Sequence, residues 1–444
     1  MKRLLILFLL MVFGIGVNSF ATTYYVKPSG SDSNNGTSEP TAWQHIAKAC
    51  TMLVAGDTVL IRAGVYNELS PDLYGMCAAE AGEPDCGPLT PKNSGTSGNE
   101  IVYKGYPGER PTIKGNLGGN YGDYAASLWQ KSYVVFDSLE ITNSYRGITI
   151  KDCNYITIKN CNVHDTEGPN WDNNGGVIVI YAEQSYNITV QACSLYDIRS
   201  ETGQDPNCSG LHIYHCTNCL FENNVCYDQP SGNGIYLKTN DTSCVVRNNK
   251  VYDSGYGIRL GGGRGKSLQA YENLVFDCTE GITVWGEDGP NSNIKVYNNV
   301  VYQVDGGGIV MENQGNNNSA CSLWNNIVMN CDEYEGKRQL TVLVSNHPNF
   351  WSDYNCWYDN SSSQVIYWHG SNWTLAQFQA NTAYEDHGIQ QNPLFVNPSI
   401  DPVTADFHLQ SSSPCKGIGR NGEDMGAYPK GNGEEIQKRI LIRK

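Results

Sequence analysis

The chain has 444 residues, of which 45 are acidic and 30 basic, so its formal charge is −15. Such an acidic chain is a poor partner for nucleic acid. With 47 glycines, 28 tyrosines and 17% charged residues, it reads as a turn-dense β protein rather than a helical one.

In chain order, residues 1–21 (MKRLLILFLLMVFGIGVNSFA) have a basic start, an apolar run and small residues near Ala21. This is the pattern of a cleavable secretory signal, which predicts a secreted or periplasmic protein. Losing Lys2 and Arg3 takes the charge to −17. No later apolar run is long enough to span a bilayer.

All 16 cysteines follow Ala21, where export permits disulfides. Cys77 and Cys86 bracket an insertion and are the favoured pair. Cys161 with Cys193, and Cys219 with Cys244, fall in matching columns where either stacked thiols or bridges fit.

TAWQHIAKACTMLV (41–54) spaces its apolar residues as a short amphipathic helix, a cap for the open end of a solenoid. GDTVLIRAGVYNE (56–68) and EIVYKGYPGERPTIKG (100–115) alternate as strands. From about residue 127 a unit of roughly 21 to 34 residues repeats, most plainly in LHIYHCTNCLFENNVCYDQPSGNG (211–234) and IYLKTNDTSCVVRNNKVYDSGYG (235–257). Three short strands per unit predict an all-β parallel β-helix. Asn160, Asn224, Asn249, Asn273, Asn299 and Asn326 recur at one bend and predict an axial hydrogen-bonded ladder. The expected organisation is one domain over residues 22–430: cap 22–55, coils about 56–336 and an irregular cover 337–430, with a loose polar tail at 431–444.

Alternation places Leu211, Ile213, Ile235, Leu237, Ile258 and Leu260 inside. One outward column reads Thr149, Ile178, His212, Tyr236, Arg259, Thr283, and the next Lys151, Ile180, Tyr214, Lys238, Gly261, Trp285, Glu312. His212, Tyr236, Lys238 and Arg259 are the candidate catalytic residues, and Tyr214, Trp285, Glu312 and Arg264 the candidate substrate contacts. Asp172, Glu183, Glu201, Asp205 and Asp241 are the candidate ligands of a calcium ion, which takes oxygen donors and would offset repulsion between this chain and a polyanion.

The opening YYVKPSGSDSNNGTSEPTAWQHIAKA, GDTVLIRAGVYNE and the closing SSSPCKGIGRNGEDMGAYP resemble the two ends of bacterial right-handed parallel β-helix proteins of the pectate-lyase-like superfamily. The resemblance implies a right-handed coil and a polysaccharide substrate. Eliminative cleavage of a uronan needs a base for the C5 proton, a partner for the carboxylate and an acid for the leaving oxygen. Lys238, whose charged form Arg259 would disfavour, is the base in this reading. Arg259 or calcium holds the carboxylate, Tyr236 or His212 serves as acid or alternative base, and Trp285 stacks on a sugar. The one-rung interval from Lys238 to Arg259 resembles the Lys and Arg pair of the chondroitinase B and alginate lyase family, although Leu260 stands where that family has His. The catalytic Lys also resembles that of the family nine pectate lyases, which use calcium, but no compact aspartate cluster of their kind is visible. A monomeric lyase acting on an acidic polysaccharide is expected; the rivals are a glycoside hydrolase with paired carboxylates near Glu312, Glu287 and Asp288, an epimerase, and a non-catalytic carbohydrate-binding protein.

Overall fold

The computed structural model describes residues 21–67, 87–115, 124–168, 178–200, 208–286, 289–312, 320–331, 336–343 and 349–429. Among the described residues no helix is long and apolar enough to cross a membrane.

Strands stack in parallel as successive turns of a right-handed β-helix. One sheet of 12 strands opens with Thr23–Val26 and Thr58–Ile61 and closes with Ser322–Trp324 and Trp351–Asp353. A second, of 20 strands, wraps two faces. It does so because Lys250–Gly263 and Leu274–Val284 run through the corner unbroken and pair on both sides of it.

The alternation is physical. Leu211, Ile213, Ile235, Leu237, Ile258 and Leu260 are all buried in the core, and each such side chain withdrawn from water stabilises the coil by roughly 1.5–3 kcal/mol.

Asparagine and aspartate turn the corners. Asn223, Asn248, Asn298 and Asn325 all have φ between 53° and 57°, the left-handed region these side chains tolerate. The residue after each, Asn224, Asn249, Asn299 or Asn326, points inward. The Nδ2 groups of Asn224, Asn249, Asn273 and Asn299 each donate to the next Oδ1 at 3.0 Å. Asn326 passes the ladder to Asn355 at 2.9 Å, and Asn355 passes it to Glu385. Asn160 is not in this ladder. It has φ 55° and donates to Asp137, so it is the turn member of its pair and Cys161 takes the inward place.

No bridge joins Cys161 to Cys193 or Cys219 to Cys244; all four are buried thiols stacked rung upon rung. Cys77 and Cys86 lie outside the described residues.

The cap helix is shorter than the sequence period suggested. Helix α1 spans Ile46–Met52 and buries Ile46, Ala47, Ala49 and Cys50, while Trp43 stays outside it and stacks on Tyr24. At the other end the rungs continue beyond residue 336. Leu340–Val342 and Gln364–Trp368 still pair in parallel before an antiparallel hairpin and helix α2 (Leu375–Asn381), whose Thr374 and Gln377 form a capping box. The final segment folds back along the side of the coil. There Phe395, Phe407, Cys415 and Met425 pack on Leu274, Val300, Ile327 and Cys356.

Candidate active site

Strand register fixes the outward columns. The first reads Thr149, Tyr181, His212, Tyr236, Arg259, Thr283, Val310 and Thr341. The second begins Lys151, Glu183, Tyr214. Tyr181 and Glu183 therefore stand where Ile178 and Ile180 were expected; Ile180 pairs with Ile148 and Leu211 instead. The true register is three residues later than the sequence pattern suggests, because an apolar VIVI run hides the phase of its own alternation.

His212, Tyr236 and Arg259 do share one row, but they are not a solvent-exposed strip. Their exposures are 2%, 2% and 7%. The His212 and Tyr236 rings lie 4.9 Å apart, centre to centre. The Arg259 guanidinium is caged by three rings: its central carbon is 4.0 Å from Trp285, 4.5 Å from Tyr256 and 5.3 Å from Tyr236. Its Nε has no hydrogen-bond partner, and among the described residues no carboxylate pairs with it. A buried cation without an anion is costly, and the rings offset only part of that cost.

Lys238 is half-buried beside this cage and makes no ion pair among the described residues. Other lysines do pair: Lys151 with Glu183, and Lys337 with Glu280. Tyr214, with its ring 3.9 Å from that of His215, and Trp285 and Glu312 on later rungs are partly open. Arg264 is exposed, with φ 59°.

Strict alternation missed Tyr256 and Glu280. It would send them inward with Ile258 and Ile282, but the strands turn a corner there. The signal was the recurring residue-Gly step Asn233-Gly234, Tyr256-Gly257, Glu280-Gly281, where a Cβ on Gly234 or Gly257 would meet the next rung's carbonyl at 2.7 Å. Glu280 is 5% exposed, accepts from Thr283 Oγ1 at 2.8 Å and pairs with Lys337. Burial works against the charge of Lys337, yet Glu280, and Glu312 beyond it, raise its pKa. Burial, then the charge of Glu280, raises the Tyr256 phenol.

Of the five candidate calcium ligands, Asp241 and Glu183 are among the described residues. Asp241 is fully buried at an inner corner, accepts the Cys216 amide at 2.8 Å, and burial pushes its carboxyl well up. That is the setting of a neutral structural acid. Glu183 lies in the outward column against Lys151. Asp172, Glu201 and Asp205 lie outside the described residues, as do Glu287 and Asp288.

Residues 24–268 match the family model for the Pel9A-like, right-handed beta helix region, and residues 176–383 match one for a right-handed beta helix region. Among curated proteins the chain is 23% identical over 465 residues to the uncharacterized protein YwoF of Bacillus subtilis (strain 168), covering 89% of this chain and 92% of that one. Among solved structures, pectate lyase Pel9A superimposes with a TM-score of 0.61 at 17% identity, over 92% of this chain and 96% of the other. The GH136 lacto-N-biosidase from Eubacterium ramulus gives 0.55 at 16% identity, over 83% and 68%. A lyase and a glycoside hydrolase are thus both built on this coil.

Proposed function

Since this chain belongs to the Pel9A-like, right-handed beta helix family, we propose that it is an exported lyase that cleaves an acidic, uronate-containing polysaccharide by β-elimination. The observation that carries the reading is a pair of cations without an ion-pair partner among the described residues, on a chain with net charge −15: caged Arg259 and half-buried Lys238 on the neighbouring rung. A uronate carboxylate is an anion that Arg259 would pair with.

In this reading Arg259 holds the substrate carboxylate and lowers the cost of charge developing at C5. The Lys238 amine takes the C5 proton, the electron pair forms the C4–C5 double bond, and the C4–O bond breaks. Tyr236, with His212 packed on its ring, supplies the proton to the leaving oxygen. Tyr214, Trp285, Arg264 and Glu312 line the approach. Calcium is proposed as a cofactor that offsets charge between chain and polymer, with Glu183 a candidate ligand and Asp241 sealed in the core. Export rests on the signal pattern of residues 1–21.

Incubation with pectate, alginate and chondroitin tests the reaction class, because elimination leaves an unsaturated uronate that absorbs in the ultraviolet. One observation favours a second reading: Glu280 and Glu312 both act on Lys337, and paired carboxylates are what a glycoside hydrolase uses. Reducing ends without absorbance would support that alternative.

A further inference from the structure

The strand pairing slips at one place beside the candidate site. Leu237 faces Leu260 and Thr239 faces Gly263, so Lys238 alone is opposed by two residues, Gly261 and Gly262. A two-for-one bulge of this kind re-aims the side chain next to it.

The two bulge glycines and Gly263 beside them are not equivalent. Gly261 has φ 74° and Gly263 φ 130°, and a Cβ on Gly261 would meet Asn291 Oδ1 at 2.3 Å. The backbone itself demands glycine at both places. Gly262 has no such backbone requirement. A Cβ there would stand 3.0 Å from Lys238 Cγ, 3.1 Å from Tyr236 Oη and 3.2 Å from Thr239 Oγ1, so its bare backbone is where the Lys238 stem and the Tyr236 hydroxyl converge.

We propose that Gly262 is a positioning residue: by carrying no side chain it lets Lys238 and Tyr236 settle together against the bulge, and so fixes where the Lys238 amine stands. Its catalytic consequence rests on the reading of Lys238 as the base. The placement does not. A methyl group at 262 makes these side chains give by a few tenths of an ångström, a displacement that matters because proton transfer needs hydrogen-bond reach and alignment.

The test is Gly262→Ala in the full chain, with three readouts. The first is the rate at which acetic anhydride acylates Lys238, followed by peptide mass spectrometry against the exposed and distant Lys114. The second is kcat and KM on the polymer that gives an unsaturated product, and the third is Tm. The expected result is a change of about threefold or more in the Lys238 to Lys114 ratio, with Tm held within about 2 °C. On an active polymer kcat should fall by roughly tenfold or more, with KM changed less. A folded variant with an unchanged acylation ratio overturns the proposal. So does a variant in which Tm falls and both lysines change together, which would mark a purely structural glycine. If Lys238→Ala keeps full turnover, the base assignment fails separately, and the acylation ratio still decides the role of Gly262.

Discussion

The central guanidinium carbon of Arg259 stands 4.0 Å from the ring centre of Trp285, and with Tyr256 and Tyr236 closing the other sides the cation is held by aromatic faces and, among the described residues, by no acid. A planar guanidinium stacks in such a cage and keeps donors for a carboxylate; an ammonium does not do both. Arg259→Lys should therefore fail to restore what Arg259→Ala removes. Both should raise KM and lower kcat, with kcat/KM down by roughly two orders of magnitude or more. Steady-state kinetics check this, and a Lys variant with normal KM would contradict the clamp.

Trp285→Ala opens the cage from one side. With a partly desolvated cation–π contact worth about 1–2 kcal/mol, KM should rise by roughly tenfold while kcat changes less. Isothermal titration with a non-cleaved oligosaccharide of the active polymer separates this binding effect from chemistry.

Chelation should lower activity and added calcium should restore it, and Asp241→Asn should leave that requirement unchanged, because Asp241 is sealed in the core against the Cys216 amide. Titrating calcium into chelator-treated wild type and variant compares the two requirements directly. A higher calcium requirement in Asp241→Asn would return that residue to the ligand set.

The repeat makes much of this fold legible in the sequence. Leu211 to Leu260 alternate with the period of a strand, and the Asn-Asn pairs mark one corner of each coil. What the letters did not show is how the members of a pair divide their work. Asn223 turns the chain and Asn224 bonds along the axis, so aligning on asparagine alone misplaced Asn160. Nor did alternation reveal that the row of His212, Tyr236 and Arg259 lies covered, since rings from adjacent rungs close over one another there. Tyr256 and Glu280 escaped because a corner reverses the parity that a straight strand would keep.

The end of the ladder makes stability depend on pH. Glu385 is fully buried, accepts from Asn355 Nδ2 at 2.8 Å and from the Ser352 hydroxyl. Burial raises its pKa to about 7, against hydrogen bonds from Ser352 and Asn355 that lower it, with the charge of Asp353 adding to the rise. The folded chain thus keeps this proton where the unfolded chain releases it near 4.5. The contribution is full below the unfolded value and is lost as pH rises through about 7, up to roughly 3 kcal/mol. Between about pH 5 and pH 8, Tm of the wild type should fall relative to Glu385→Gln. Parallel Tm curves would place the titration elsewhere.

The most direct test of the account is the ultraviolet absorbance of product formed from pectate, alginate or chondroitin by the wild type and by Lys238→Ala. The account predicts absorbance with at least one of these polymers, and a kcat lower by roughly two to four orders of magnitude in the variant, the usual worth of a positioned proton acceptor. Reducing ends without absorbance, or a Lys238→Ala variant that turns over at the wild-type rate, would contradict it.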